Sequence, residues 1–246
     1  MIHALESWGF RAWNYKSPKE FGRDYELSLV RIYDAFDWES ADYLQLWPSV
    51  LDDVIHDSGR DESGRMMLYR RSLREQRALD FARGEIEAIL IPERVKRLLE
   101  KDSLKHVVFK PTIAVKGTGL AKECQAPLAW TEVGTPPWWE LSSDLVLPPL
   151  SPSMDLRDDK GNPIAPGDCS KGCVPKEGHF NHAELHYRQR DLAAVEPFDV
   201  ALTFETFGPR GPTKRPSLIA SQHFYRVCVD HGLSTNWIPV RVDRDA

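Results

Sequence analysis

The chain has 246 residues, of which 41% are hydrophobic and 28% are charged, which is typical of a soluble globular protein with one large domain or two modest ones. Its net charge of −5 argues against nucleic-acid binding, because the phosphates of a nucleic acid require an excess of Lys and Arg. No run of about 18 apolar residues occurs, which argues against a membrane span, and the N-terminus lacks a secretion signal, so we expect a cytoplasmic protein.

The first third of the chain changes composition twice. Alternating apolar residues between Leu27 and Ile32 predict an opening strand. Residues 34–62 then carry nine acidic residues against one basic residue. Six arginines follow between Arg65 and Arg83, among apolar residues that predict a helix. We expect these arginines to neutralise the preceding acids within the fold, with a nucleic-acid groove as the alternative.

The acidic segment is interleaved with aromatic residues, among them Phe36, Trp38 and Trp47. One interpretation is a solvated face whose aromatic side chains point into the core. The other is a partner surface, on which aromatic side chains are buried by the partner and carboxylates match its positive charge. On the second interpretation, the residues that bind the partner are Asp37, Glu39, Asp42, Asp52, Asp53 and Asp57.

Two segments share the order strand, helix, strand. Residues 87–115 place an apolar strand before a short amphipathic helix and end in a second apolar strand, and residues 216–241 have the same order. Pro92 aligns with Ser221 at an offset of 129 residues. The repeat predicts two related lobes.

The second copy of the repeat also carries signals for the helix ends. Ser221 is suited to cap the start of the helix and Gly232 to end it, and the apolar residues between 224 and 233 form one buried face. Pro239, like Pro111 in the first copy, has no backbone N–H to donate. Pro239 therefore predicts an edge strand or a strand end.

The sequence predicts an α+β fold with two related lobes, each a small mixed β-sheet with a packed helix, joined by a Pro-rich crossover. Residues 1–120 form the N-terminal lobe with the first repeat. Residues 121–180 form a connection that is dense in Pro and Gly, and residues 181–246 form the C-terminal lobe with the second repeat.

One cluster has the residue types of a metal site: Cys169, Cys173, His179 and His182. Zinc takes four nitrogen or sulfur ligands, but only five residues separate the Cys pair from the first histidine, which is shorter than the usual spacing. The spacing favours free surface thiols and solvated histidines. The cysteines do not form the framework of a small disulfide-rich domain, so we expect a reducing compartment. We expect no cofactor, with zinc at this cluster as the alternative.

No catalytic constellation stands out in the sequence. No G-x-S-x-G motif occurs, and the serines at 151–153 lie in a proline-rich loop. Cys228 diverges on its helix from His223, and His231 fits the helix C-terminus better than a catalytic pair. Alternation predicts that Glu205 is a buried carboxylate facing a cleft, without a partner acid. We therefore expect that the chain is not an enzyme.

The C-terminal segments DVALTFETFG, SLIASQHFYRVC and GLSTNWIPVRVD, between Phe198 and Asp243, resemble the double-CxxCG-motif immunity family of bacterial polymorphic toxin systems. The shared features are an aspartate-led strand, an aromatic-Gly turn, a Ser-x-x-Phe helix start and a closing Pro-Val strand. This chain has no CxxCG motif. The resemblance implies a cytoplasmic inhibitor without catalytic activity that binds one cognate toxin domain, often a cationic nuclease, and covers its active or substrate-binding surface. The alternatives are a zinc-binding enzyme and a protein-interaction module.

Overall fold

The structure of the chain, a computed structural model, is an α+β fold with two lobes, as the sequence predicts. It describes residues 10–15, 26–31, 33–48, 54–55, 57–69, 78–84, 88–116, 131–132, 138–158, 161–168, 173–175, 184–207 and 215–244. The described helices are α1 (Ala35–Ser40), α2 (Glu93–Leu99), α3 (Gln189–Ala193) and α4 (Gln222–Asp230).

The described strands are short, and most belong to two large mixed sheets. In chain order they are β1 (Phe10–Tyr15), β2 (Glu26–Arg31), β3 (Tyr43–Leu46), β4 (Val54–Ile55), β5 (Asp57–Arg60), β6 (Met66–Tyr69), β7 (Ala82–Gly84), β8 (Ile89–Pro92), β9 (Val107–Lys116), β10 (Thr131–Glu132), β11 (Trp138–Ser143), β12 (Leu156–Arg157), β13 (Pro163–Ile164), β14 (Val174–Pro175), β15 (His186–Arg188), β16 (Val200–Phe207), β17 (Arg215–Ser221) and β18 (Trp237–Asp243).

Five strands of each large sheet share one spatial order and one pattern of pairing. The N-terminal sheet has the order β4-β7-β8-β11-β9-β6-β5, with β10 paired to β9, and the C-terminal sheet has the order β15-β18-β3-β17-β16. In each sheet the two strands of the repeat lie on either side of one antiparallel strand, β11 or β3. The next neighbours also correspond, because β7 and β16 pair antiparallel and β6 and β15 pair parallel. The predicted repeat therefore extends to five strands in each lobe.

Sheet membership crosses the segment boundaries that we expected from the sequence. Strand β3 belongs to the first segment, 1–120, but lies at the centre of the C-terminal sheet. Strand β11 belongs to the connecting segment, 121–180, but lies at the centre of the N-terminal sheet. Each lobe obtains its central strand from outside its own repeat, and that strand lies antiparallel between the two strands of the repeat.

The helix ends in the repeat follow the sequence signals. Pro92 and Ser221, which the repeat aligns, are the N-cap residues of α2 and α4. The Ser221 hydroxyl accepts a hydrogen bond of 3.1 Å from the backbone N–H of Phe224, as an N-cap serine does. Gly232 has a φ of +65° directly after the C-cap residue His231, a conformation that glycine adopts without steric cost.

The prolines in the second strand of each repeat lie inside a sheet rather than at its edge, which corrects the edge-strand prediction. Pro239 lies in β18, between β3 and β15, but pairing with β15 begins only at Arg241. Pro111 lies in β9, and pairing with β6 begins one residue later, at Thr112. Each proline thus lies before the first residue that pairs with the parallel neighbour, where its missing N–H costs no ladder hydrogen bond to that neighbour.

The helix predicted between Arg65 and Arg83 is wrong at both of its described ends, where the chain forms β6 and β7. Met66, Met67 and Leu68 are buried one after another, which fits an interior strand covered on both faces better than one helix face. Residues 70–77 lie outside the described part of the chain.

The main hydrophobic cluster contains residues from both lobes. Leu44 of β3, Ile91 of β8, Leu99 of α2 and Phe224 of α4 are all fully buried in it. Trp237 packs edge-on against Phe224, with ring centroids 6.3 Å apart. Because one cluster joins both helices to both sheets, the burial of apolar surface holds the lobes together.

Asp199, the aspartate at the start of β16, also links the two lobes. Its carboxylate accepts hydrogen bonds from the backbone N–H of Lys105 at 2.7 Å, the hydroxyl of Ser221 at 2.9 Å and the His223 ring at 2.8 Å. Burial alone would raise its pKa, but these donors outweigh burial and lower the pKa below its usual range. The aspartate-led strand of the sequence resemblance therefore has a structural role here.

Glu205 is fully buried in β16, and the neighbouring Phe204 is 47% exposed, so the predicted alternation is confirmed. Glu205 does not line either of the two cavities described below. One carboxylate oxygen accepts hydrogen bonds from the backbone N–H groups of Leu150 and Gly167, at 3.0 and 3.2 Å. Burial raises the pKa of Glu205, and these hydrogen bonds only partly oppose it.

This raised pKa predicts a dependence of stability on pH. The folded chain holds the Glu205 proton at pH values where the unfolded chain, with a pKa near 4.5, has released it. The contribution of this group to the free energy of unfolding therefore falls as the pH rises from that value through the raised pKa. The variant Glu205→Gln lacks this loss, so we expect it to gain stability relative to the parent chain between about pH 5 and about pH 8 in urea unfolding. A stability difference that is the same at both pH values would contradict this prediction.

Candidate functional site

Helix α1 begins with a capping box that the sequence encodes locally. The side chain of Asp34 accepts a hydrogen bond from the backbone N–H of Asp37, and the side chain of Asp37 accepts one from the backbone N–H of Asp34, both at 3.1 Å. These two bonds satisfy backbone donors that would otherwise lack partners at a helix start. Two of the acidic residues of this segment therefore define where the helix begins.

Contacts to the C-terminal lobe fix α1 in place. The Trp38 indole Nε1 donates to the carbonyl of Trp237 at 3.1 Å. The Gln222 amide donates to the carbonyls of Trp38 and Ala41, at 2.6 and 2.5 Å. A six-residue helix is too short to persist alone in water, so these contacts explain why it forms and hold it in one orientation.

The outward face of α1 presents an aromatic ring among carboxylates. Phe36 and Trp38 lie about 200° apart around the helix axis, so Trp38 packs against the core while Phe36 is 77% exposed. Residues 33–48 contain four carboxylates and no Lys or Arg. The residues Asp34, Phe36, Asp37, Glu39 and Asp42 together are called the Phe36 surface below.

The partner-binding residues predicted from the sequence do not all lie on one element of the structure. It places Asp37 and Glu39 on α1, and the exposed Asp42 immediately before β3. Asp57 lies in β5, paired with Leu68 of β6, and only its backbone is described. Asp52 and Asp53 lie outside the described residues. Trp47 is buried, as the first interpretation expects of the aromatic side chains, and the partner surface stays a prediction.

A notch of about 190 Å³ opens beside the Phe36 surface. Its walls include the carboxyl groups of Asp37 and Glu184 and the guanidinium of Arg241. The Tyr33 hydroxyl donates to Glu184 at 2.9 Å, and Arg241 forms an ion pair of 2.9 Å with Asp243. The notch therefore extends the polar surroundings of Phe36 onto β18.

The predicted metal cluster does not form as a set of four free ligands. Cys173 is buried beside Phe207, and its sulfur belongs to a disulfide, so it is not the free surface thiol expected from the sequence. The other half of that bond lies outside the described residues, as do Cys169, His179 and His182. Within the described ranges, no group of three or more His, Cys, Asp or Glu side chains is arranged to hold a metal ion.

The predicted absence of a Cys–His pair around Cys228 agrees with the geometry. Cys228 is a free, fully buried thiol whose pKa burial raises well above its usual range. His223 contacts Asp199 and His231 contacts Asp102, both at 2.8 Å. Each histidine therefore has a carboxylate partner, and Cys228 is a small apolar core residue.

The fold does bring serine, histidine and aspartate together at a place that the sequence did not indicate. Asp243 Oδ2 accepts hydrogen bonds from the hydroxyls of Ser153 and Ser151, at 2.6 and 2.7 Å, and His186 Nδ1 lies 3.1 Å from the Ser153 oxygen. In a catalytic triad the serine hydroxyl donates to a histidine nitrogen, and the carboxylate accepts from the other nitrogen of the same ring. Here the Ser153 hydroxyl donates to the carboxylate. The Ser153 hydrogen bond is the main cause that lowers the pKa of Asp243. The contacts of Asp243 with Ser151 and Ser153 attach β18 to the loop that precedes β12.

Neither a known protein-family model nor a curated protein sequence matches this chain. In the described part of the chain, no helix has the length and apolarity needed to cross a bilayer.

Proposed function

We propose that the chain is an immunity protein that binds a cognate antibacterial toxin and neutralises it by covering its active or substrate-binding surface. The observation that carries this proposal is the 77% exposure of Phe36 on a helix that is fixed to the core and rich in carboxylates. The C-terminal sequence resemblance supports the same function.

The chemistry of the Phe36 surface defines the kind of partner. An exposed aromatic ring that becomes buried at an interface contributes about 2 kcal/mol, and such residues are frequent binding hot spots. The surrounding carboxylates favour a partner with a positive surface and speed its approach. A nuclease, whose active-site cleft has to attract nucleic-acid phosphates, has such a surface.

The two alternatives have less support. A zinc enzyme built on Cys169, Cys173, His179 and His182 would need the Cys173 sulfur as a thiolate, whereas this sulfur is in a disulfide. A protein-interaction module of another kind would use the same Phe36 surface. The identity of the partner distinguishes such an interaction module from an immunity protein.

The proposed compartment is the cytoplasm, where an inhibitor of a nuclease would act. The Cys173 disulfide favours an oxidising compartment instead, because disulfides are rare in a reducing cytosol. Cell fractionation decides between the two, and recovery outside the cytoplasm would contradict the proposed compartment.

Charge reversal tests the partner surface. Glu39 and Asp42 are exposed, so the double variant Glu39→Lys/Asp42→Lys should fold normally. We expect it to associate at least about tenfold more slowly at low salt with the product of the adjacent upstream gene. Stopped-flow fluorescence measures this rate.

The matched control for this experiment is Glu62→Lys/Asp230→Lys, which makes the same change in net charge at two other exposed positions. The control should keep most of the parental rate and the same fall in rate with added salt. Equal rates for the two double variants would place the partner surface elsewhere.

A further inference from the structure

A second site lies between the two lobes, away from the Phe36 surface. It is a cavity of about 430 Å³ with walls from both large sheets, which is within the usual size range of small-molecule sites. We call this cavity the interlobe cleft. Its charged and aromatic lining residues are Trp47, Arg60, Arg83, Lys110, Glu140 and Arg215.

The charge of the interlobe cleft is opposite to that of the whole chain. Its described walls carry three arginines, one lysine and a single carboxylate, a formal charge of +3, whereas the whole chain carries −5. Cations gathered around one cavity repel one another, and low-dielectric walls strengthen their field. An anion placed in the cavity would lower that repulsion.

The cationic groups come from separate strands and are held in defined positions. Arg60 of β5 forms a two-point ion pair with Glu140 of β11, with both hydrogen bonds at 2.8 Å. The Arg83 guanidinium of β7 lies over the Trp47 ring, 5.2 Å from its centroid. Because Glu140 already occupies both terminal nitrogens of Arg60, the groups that would meet an anion are those of Arg83, Lys110 and Arg215. A guanidinium group held in place loses little freedom on binding, and its fork geometry matches phosphate oxygens.

The remaining cations face the cavity from the two sheets. Lys110 of β9 is exposed and reaches the cleft from the N-terminal sheet, and Arg215 of β17 reaches it from the C-terminal sheet. Apolar walls lie between them, formed by residues such as Ile89 and Leu218. Cations combined with apolar walls suit an anion that carries an organic group.

We propose that the interlobe cleft binds an organic phosphate with two or more negative charges. The volume of about 430 Å³ favours a small molecule over a nucleic-acid strand, whose backbone would need a long groove. This inference does not depend on the proposed immunity function, because the Phe36 surface contributes none of the lining residues.

Isothermal titration calorimetry on the full chain tests the proposal with four probes: ATP, pyrophosphate, citrate and adenosine. We expect ATP and pyrophosphate to bind with an affinity that falls as salt is added, and citrate to bind more weakly. Adenosine lacks a phosphate and should not bind. Failure of both ATP and pyrophosphate to bind, or equal binding of citrate and ATP, would overturn the proposal.

Variants locate the binding. Lys110→Gln removes one cleft cation at an exposed position and should weaken ATP binding about tenfold. Arg215→Gln should weaken it at least as much. The control Arg226→Gln makes the same charge change at an exposed position of α4 outside the cleft, and it should leave ATP affinity unchanged. Equal effects of Lys110→Gln and Arg226→Gln, or binding of a single-stranded oligonucleotide without binding of ATP, would contradict the assignment.

Discussion

Replacing Asp199 by alanine should lower the free energy of unfolding by about 3 kcal/mol. The substitution leaves the Lys105 backbone N–H and the Ser221 hydroxyl without their buried acceptor. It also removes a contact between the two lobes. An alanine side chain has no polar atom to replace the lost acceptor. Urea unfolding followed by tryptophan fluorescence measures the change through the transition midpoint.

His223→Ala is the matched control for Asp199→Ala, because it removes only one partner of the same carboxylate. The His223 side chain is 61% exposed, so its bond to Asp199 should contribute at most about 1 kcal/mol. Similar losses in the two variants would show that Asp199 does not join the lobes as described.

Replacing Phe36 by alanine should weaken partner binding about 30-fold, which corresponds to about 2 kcal/mol. Phe36 is 77% exposed and contributes little to the core, so we expect the unfolding midpoint of the free chain to stay unchanged. The loss should appear mainly as faster dissociation, because removal of an aromatic anchor leaves the charges that guide association in place. Surface plasmon resonance separates the two rates.

Phe204→Ala is the matched control for Phe36→Ala. Phe204 is also exposed, at 47%, but it lies on β16 outside the Phe36 surface, and the adjacent Glu205 is fully buried. Its replacement should leave affinity unchanged. If both variants bind as tightly as the parent chain, the Phe36 surface is not the binding site.

The repeat was predictable because its signals are local. The cap at Ser221, the stop at Gly232 and the apolar spacing around Phe224 all lie within a few residues of the structure that they specify. Local signals of this kind define one strand–helix–strand unit, and two copies of the unit indicate two lobes.

The sheets themselves were not predictable from those signals. Strands β3 and β11 complete the two lobes through pairings with distant parts of the chain, such as Leu44 with Ala220 and Leu141 with Ile89. Periodicity within a segment carries no information about such partners. The same limit explains the error at Met66–Tyr69, where several buried residues in a row fit either a helix or an interior strand.

The candidate site was predictable only in its composition. The sequence shows acids and aromatic residues between 34 and 62, but it does not show which ring faces solvent. That depends on the hydrogen bonds of Trp38 to Trp237 and of Gln222 to α1, which join residues far apart in the chain. The interlobe cleft was not found from the sequence, because its cations come from separate strands.

As an immunity protein, this chain should protect cells by binding a basic toxin. The most direct measurement is the growth of cells that express the product of the adjacent upstream gene, with and without this chain. We expect the chain to restore growth and to co-purify with that product as a stable complex. Continued killing in the presence of folded chain, with no complex recovered, would contradict the claim.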